Sequence, residues 1–509
     1  MRKLSIVIKK NWYLFLIILL SAFLRLYKIS SYMTFLGDEG RDALVWLRMV
    51  RNHKFTLIGP QTSIGNMYLG PLYYYLMLPF YILLGTVGPS IGVALFGGAT
   101  TFLLWFCGRE WFSEKVGLLA AFFYAISPVG VVLSRSSWNP NVMPFFALLA
   151  IYGIYQFWQK DKFEWLPTIG VTLSFAIQSH YLGVLLIPVA GIFFLAKLIE
   201  LLRKKDKKTR SFLLLFTVSC LLFTLLTIIP LIWFDLRHNF INYKAFYKFF
   251  SERQTTVNFK IYKAFPNLWP LWQMMITRLL AGKNETFGFW LSIALLLLMA
   301  FWFIRYLRGG RMDSSKVNSR GIFLVLVWLG IGLLGMGLYK QHIYDHYFGF
   351  LFPAVFLLVS YFSLTYSDRH VLKRYLGWGL VLVITIFSLL ENPLRYQPNY
   401  QMKKVKEIDK KVIAETQNKP YNFALIAKQN YEAGYEYFLE LWGKPPIQID
   451  PQRFNQTITE QLFVACEDPV CEPTTNSKAG IANFGWSKIE QEWEFPWGVR
   501  LFKLVHVKR

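Results

Sequence analysis

The 509-residue chain carries 55 Lys and Arg against 30 Asp and Glu, a formal net charge of +25, yet 54% of it is hydrophobic and only 17% charged. That balance excludes a water-soluble enzyme of this size and makes the bilayer the main solvent. The excess positive charge sits mostly in short loops between apolar runs, a pattern that reports membrane topology and not nucleic-acid binding.

The chain opens on MRKLSIVIKK followed by WYLFLIILLSAFL. This has the layout of a signal sequence, but no small-x-small cleavage site follows, so it reads as an uncleaved first helix. Apolar runs predict spans near 12–28, 89–107, 116–133, 140–158, 164–179, 181–201, 211–233, 287–305, 321–338, 347–365 and 375–391, about eleven in all. Lipid offers the backbone no hydrogen-bond partner, so each run must be helical.

The run PLYYYLMLPFYILLG at 71–85 is left out, because it is short, opens on Pro71 and carries Pro79. With that omission the positive-inside rule places Lys9 and Lys10, Arg109 and Lys115, Lys160 and Lys162, LRKKDKKTR at 202–210, and the basic residues of 305–320 and 369–374 on one face. Counting the run as a span would turn LRKKDKKTR outward. It therefore reads as an interfacial helix with Tyr73, Tyr74 and Tyr75 at headgroup depth.

A plasma-membrane protein with a cytoplasmic N-terminus follows. Its outer face receives a first loop of about 29–88, a second of about 234–286, and the tail. The predicted architecture is mainly α: a polytopic domain over 1–391 and a small extracytoplasmic α/β domain over 392–509. In the tail, FALIAKQ, NYEAGYEYFLELWGK, LFVACED and RLFKLVHVK read as strand, helix, strand and strand. Cys466 and Cys471 lie in CEDPVC, close enough for a disulfide if the tail is outside the cell, and without nearby His they cannot complete a tetrahedral zinc site.

Chemistry concentrates in FLGDEGRDALVWLRMVR at 35–51. Asp38, Glu39, Arg41 and Asp42 fall within one helical turn or so, and Asp38 and Asp42 share a face at i, i+4. One such carboxylate beside the membrane can deprotonate an acceptor hydroxyl while Arg41 holds an anionic donor. The plainer alternative is a solvated helix start whose acids are favoured by the helix dipole. Asp42 is expected only to pair with Arg41.

An outer loop bearing this DE pair, then LGPLYYYLMLPFYILLG, then CGREWFSEKVGLLAAFFYAISPVGVVLSRSSWNPN, resembles the bacterial protein-mannosyltransferase and aminoarabinose-transferase group of the GT-C superfamily. The resemblance covers roughly residues 10–390 and is strongest over 30–160. It implies the GT-C fold, a catalytic role for the acidic pair, which maps onto Asp38 and Glu39, and sugar donors on polyprenyl phosphate or pyrophosphate. It also implies an active-site cavity open to the outer face.

Other polar residues fall in the short outer loops. In SRSSWNPN, Arg135 reads as a phosphate contact or a snorkelling cation, Trp138 as a sugar-stacking ring or an interfacial anchor, and Asn139 and Asn141 as sugar ligands or helix caps. His180 in IQSHYLG reads as a packing residue or as a ligand to a phosphate or metal, and together with Tyr181 as an acceptor or sugar contact. The segment GLYKQHIYDHYFGFLFP supplies Lys340, His342, Asp345 and His346. Its equivalent in the resembled family grips the donor phosphate, which makes Lys340 the first candidate, followed by His342 and His346. No cofactor is indicated outright; a divalent metal ion is left open, with Glu39 and His346 as its ligands, although HExxH is absent. No nucleotide-binding motif is found.

The expected function is transfer of a sugar from a polyprenyl-phosphate donor to an extracytoplasmic lipid, glycan or protein hydroxyl, with Asp38 as general base and Glu39 orienting. Membrane lipids are partners and nucleic acid is not. One alternative, a transporter or flippase of lipid-linked sugars, would place ionisable residues in mid-membrane. The other, a lipid-linked glycan ligase or polymerase, would rest on loop arginines such as Arg237.

Overall fold

The structure is a computed structural model and describes residues 11–62, 67–205, 207–252, 256–307, 319–365 and 371–507. In chain order its main helices are α1 (Trp12–Leu26), α2 (Gly37–Asn52), α3 (Leu72–Leu84), α4 (Gly88–Trp111), α5 (Glu114–Ile126), α6 (Pro128–Leu133), α7 (Met143–Lys160) and α8 (Trp165–Ser179). They continue with α9 (Leu186–Arg203), α10 (Lys207–Arg237), α11 (Ile241–Ser251), α12 (Phe265–Leu280), α13 (Glu285–Leu307), α14 (Ser319–Gly337), α15 (Phe352–Thr365) and α16 (Val371–Leu390). The tail adds α17 (Gln401–Glu415), β1 (Asn422–Ile426), α18 (Ala433–Leu441), β2 (Gln461–Cys466), β3 (Ser487–Glu494) and β4 (Arg500–His506).

Every apolar run expected to span forms helix. Among the described residues, six helical stretches are long and apolar enough to cross a bilayer, including Leu72–Trp111 and Lys207–Arg237, and Trp12–Leu26, Phe352–Leu364 and Tyr375–Leu390 are shorter apolar helices. The chain is a multi-pass membrane protein. Contacts divide it into two compact units: Met1–Tyr27 with Leu57–Pro79 and Pro89–Gln397, and Lys28–Thr56 with Phe80–Gly88 and Pro398–Arg509. The second unit groups helix α2 with the tail.

In the first unit, three expectations change. The run 116–133 is two helices, because Pro128 cannot continue the ladder of α5 and instead opens α6. Ser127 at the break donates to Leu279 O at 2.9 Å. The supposed loop 234–286 contains α11 and α12, and α12 buries Leu271, Trp272, Met275, Ile276, Leu279 and Leu280, a stripe at helical spacing. Tyr73 and Tyr74 are buried, so their rings pack against protein and are not exposed to lipid headgroups.

The charge inside the first apolar helix is accounted for locally. Arg25 is fully buried and donates to Ser21 Oγ at 2.9 Å and to the carbonyls of Tyr124 and Ala125, each at 3.1 Å. A cation at membrane depth is tolerated where carbonyls and hydroxyls solvate it in this way.

In the second unit, the sheet runs β1-β2-β4-β3, with β1 parallel to β2 and the remaining pairs antiparallel. Ala424, Ile426, Leu462, Val464, Phe502 and Leu504 form its apolar core. Strand β3 is unforeseen because SKIEQEWE is charged and mostly exposed, as suits an edge strand. Cys466 and Cys471 form a disulfide, with Cα atoms 6.3 Å apart. Helix α2 lies against α18, and Gly40 meets the backbone of Ala433 and Gly434 so closely that a Cβ on Gly40 would have no space.

Candidate functional site

In the second unit, the turn Ile29–Tyr32 and an extended Leu36 lead into α2, with Phe35 at φ 40°. A left-handed conformation is costly for an aromatic residue and is held here by its surroundings. Phe35 is buried, its ring 5.3 Å from that of Phe438. The next step is fixed from the tail: Gly37 N donates to Asn430 Oδ1 at 2.8 Å, and the Tyr431 ring occupies the space that a side chain at Gly37 would need.

Asp38 follows, in the first turn of α2. Its Oδ1 accepts from Arg41 Nη1 at 2.7 Å and from Tyr431 Oη at 2.8 Å. Its side chain is 42% exposed. Among the described residues nothing bonds Oδ2. Arg41 also reaches the buried Asp42, with Nε and Nη2 at 2.9 and 2.8 Å from Oδ1. The guanidinium is thus already countered by two carboxylates. This geometry suits an orienting group for Asp38 better than the open anion site expected of Arg41. Glu39 is only 3% exposed and accepts a close hydrogen bond from Thr34 Oγ1.

In the first unit, three segments distant in sequence meet. Trp138 lies against His346 (ring centroids 4.3 Å apart), His346 lies 5.7 Å from His180, and His180 contacts Tyr181 and Tyr347 at 4.5 and 4.6 Å. Tyr181 and Tyr339 share a hydroxyl hydrogen bond of 2.7 Å. Four candidates from three loops, Trp138, His180, Tyr181 and His346, therefore form one aromatic and imidazole cluster. Tyr339 and Tyr347 complete it. An aromatic run in GLYKQHIYDHYFGF was their only sequence signal.

Burial pushes His346 down to about 4 and His180 well below the usual histidine range, the second helped by its neighbour His346. Both rings are neutral at physiological pH, so His346 offers a hydrogen bond and not the positive charge expected of a phosphate ligand. His180 Nδ1 accepts from Leu182 N at 3.3 Å, which puts the proton of the neutral ring on Nε2.

The remaining candidates are placed individually. Lys340 and His342 are exposed, and Lys340 N donates to Thr256 O at 3.0 Å, beside the bridge pairing Val257 with Tyr339. Asp345 pairs with Arg278 of α12 at 3.4 Å, a cation missed because its helix was read as loop. Asn139 donates to Ser179 O at 2.5 Å and Asn141 to Ser136 O at 2.9 Å, both holding loops together. Arg135 is 2% exposed and sends Nη1 to Leu24 O and Nη2 to Tyr27 O, each at 2.5 Å. That is a cap on the end of α1. It corrects both the phosphate and the snorkelling readings, since the guanidinium faces neither solvent nor lipid.

Among the described residues no three His, Cys, Asp or Glu side chains gather as a metal site. Glu39 and His346, the two ligands considered, belong to different units.

Residues 70–233 match the family described as dolichyl-phosphate-mannose-protein mannosyltransferase. Among solved structures, ArnT from Cupriavidus metallidurans in the apo state superposes with a TM-score of 0.59 at 12% identity, covering 97% of this chain and 98% of that one. The same protein bound to undecaprenyl phosphate gives 0.57 at 12% identity and the same coverage. The oligosaccharyltransferase of Archaeoglobus fulgidus in its apo form gives 0.50 at 12% identity, over 96% of this chain and 74% of that one. No curated protein matches in sequence. The fold is thus that of the GT-C membrane proteins. Within it, the chain resembles the glycosyltransferases of the ArnT and protein-mannosyltransferase kind.

Proposed function

We propose that the chain is a membrane glycosyltransferase that moves a hexose or pentose from a polyprenyl-phosphate donor to a hydroxyl on the outer face of the plasma membrane. The observation that carries this reading is the state of Asp38: one oxygen is held by Arg41 and Tyr431, and the other is open on a partly exposed side chain. A carboxylate so held is suited to general base catalysis. The match to a mannosyltransferase family and the fold shared with ArnT add support, since ArnT is itself seen with undecaprenyl phosphate.

In the proposed reaction Asp38 Oδ2 takes the proton of the acceptor hydroxyl. The acceptor oxygen bonds to the anomeric carbon as its bond to the phosphate oxygen breaks, with inversion, and polyprenyl phosphate leaves. Lys340 receives the developing phosphate charge as a point cation. Trp138, Tyr181 and the neutral imidazoles of His180 and His346 offer stacking faces and hydrogen bonds to a sugar.

The test is release of polyprenyl phosphate from a panel of polyprenyl-phosphate sugars in the presence of membrane acceptors. Wild-type release that falls by about 10²- to 10⁴-fold in folded Asp38→Asn upholds the reading. Equal release by both proteins removes Asp38 as base.

A further inference from the structure

The side chain that completes the environment of Asp38 comes from the tail, 393 positions along the chain. A carboxylate held by a single donor can turn about Cβ–Cγ and exchange its oxygens. Two donors reaching the same oxygen from different elements define one orientation. Arg41 is the first donor, from the next turn of α2, and Tyr431 is the second, from the loop before α18.

That loop is itself anchored. Asn430 Oδ1 accepts from both Gly37 N and Tyr431 N, while its Nδ2 lies 3.1 Å from each carboxylate oxygen of Glu467. Glu467 Oε1 also accepts from Tyr435 Oη at 2.7 Å and from Gln401 Nε2 at 3.0 Å. A continuous hydrogen-bonded path thus runs from the end of β2, through Asn430, to the residue preceding Asp38. The charged groups around this path are Arg41 and Asp42 on α2 and Glu432 and Glu467 on the tail. Partial burial raises the Tyr431 phenol above its usual range, with Asp38 and Asp42 adding to the effect and Arg41 opposing it. Tyr431 therefore stays a hydrogen-bond donor throughout the working range of pH.

We propose that Tyr431 is a positioning residue for the transfer reaction: its hydroxyl, donated to Asp38 Oδ1 beside Arg41, fixes the carboxylate so that Oδ2 alone meets the acceptor. The tail domain thereby acts as part of the catalytic apparatus although it brings no catalytic residue of its own. This inference rests on Asp38 being the base, and the experiment separates the two.

Full-length protein in lipid nanodiscs is assayed as wild type, Asp38→Asn, Tyr431→Phe and Gly37→Ala, with the folded fraction, kcat per folded molecule and acceptor KM measured for each. Tyr431→Phe keeps the ring and loses one hydrogen bond to a charged group, so kcat falls by about 10- to 100-fold. Acceptor KM stays within about twofold, as expected when an interaction used in the transition state is lost. A contact that mattered only for folding would lower the folded fraction and leave kcat per folded molecule unchanged. Gly37→Ala, whose Cβ displaces the Tyr431 ring, behaves like Tyr431→Phe and decides the matter if Tyr431→Phe fails to fold. Wild-type kcat in the folded variants, with Asp38→Asn inactive, overturns the role of Tyr431 alone. Full activity in Asp38→Asn overturns both readings.

Discussion

Gly40 of α2 and Gly434 of α18 meet backbone to backbone, but the contact is not symmetric. A Cβ on Gly40 would strike the Gly434 main chain, whereas a Cβ on Gly434 would meet only ordinary contacts at 3.5 to 4.0 Å from Phe35 and Leu36. Gly40→Ala should therefore push the two helices apart, at a cost of roughly 1–3 kcal/mol. Gly434→Ala should be neutral or slightly stabilising, since Ala is the better helix former. Thermal melting of the two variants checks this, and equal destabilisation by both would refute the asymmetry.

Arg135 and Lys340 should separate cleanly. Arg135 spends its guanidinium on Leu24 and Tyr27 carbonyls, so Arg135→Ala leaves those carbonyls buried without a partner and lowers stability by roughly 1–3 kcal/mol. The donor KM of the fraction that remains folded should stay as in wild type. Lys340 is exposed, so Lys340→Ala should leave melting within about 0.5 kcal/mol of wild type while raising the donor KM. Titration of the donor against both variants distinguishes them.

His346 gives a prediction with a definite sign. Burial holds it down at about 4, below the unfolded value of about 6.5, so between these limits the unfolded chain binds more protons. Stability from this group is intact above pH 6.5 and is lost as the pH falls toward 4. His346→Gln should flatten that part of the acid-melting curve. If the curve steepens instead, the imidazole is charged in the folded protein.

Asp409 has the opposite sign. It is fully buried on α17, neither of its carboxylate oxygens has a hydrogen-bond partner among the described residues, and burial raises it well above the carboxylate range. The folded state then holds a proton that the unfolded chain releases near pH 3.9, so stability declines as the pH rises through the window above that value. The slope is at most about 1.4 kcal/mol per pH unit. Asp409→Asn should abolish it, as read from melting temperatures of the full chain across the window.

What the sequence made legible follows from the range of each interaction. Apolar runs announced the helices because lipid permits no other backbone structure, and the adjacency of Arg41 and Asp42 announced that ion pair, whereas the pair of Arg41 with Asp38 was not expected. Helix α12 was hidden by its Pro266 and Pro270 and by a length of 16 residues, short of a bilayer crossing. Strand β3 was hidden by its charges. The burial of Tyr73 and Tyr74, the capping by Arg135, and the contact of Tyr431 with Asp38 depend on partners far along the chain, for which no local pattern exists.

The separation of 393 positions between Asp38 and Tyr431 also bears on biogenesis. Asp38 leaves the ribosome early, and its tyrosine partner follows only after all the apolar helices have been made. Until then α2 lacks α18, the Gly37 amide lacks Asn430, and the carboxylate is free to turn. A chain stalled during insertion therefore carries the acidic pair of α2 without the Asn430 and Tyr431 side chains that hold Gly37 and Asp38 in the folded protein.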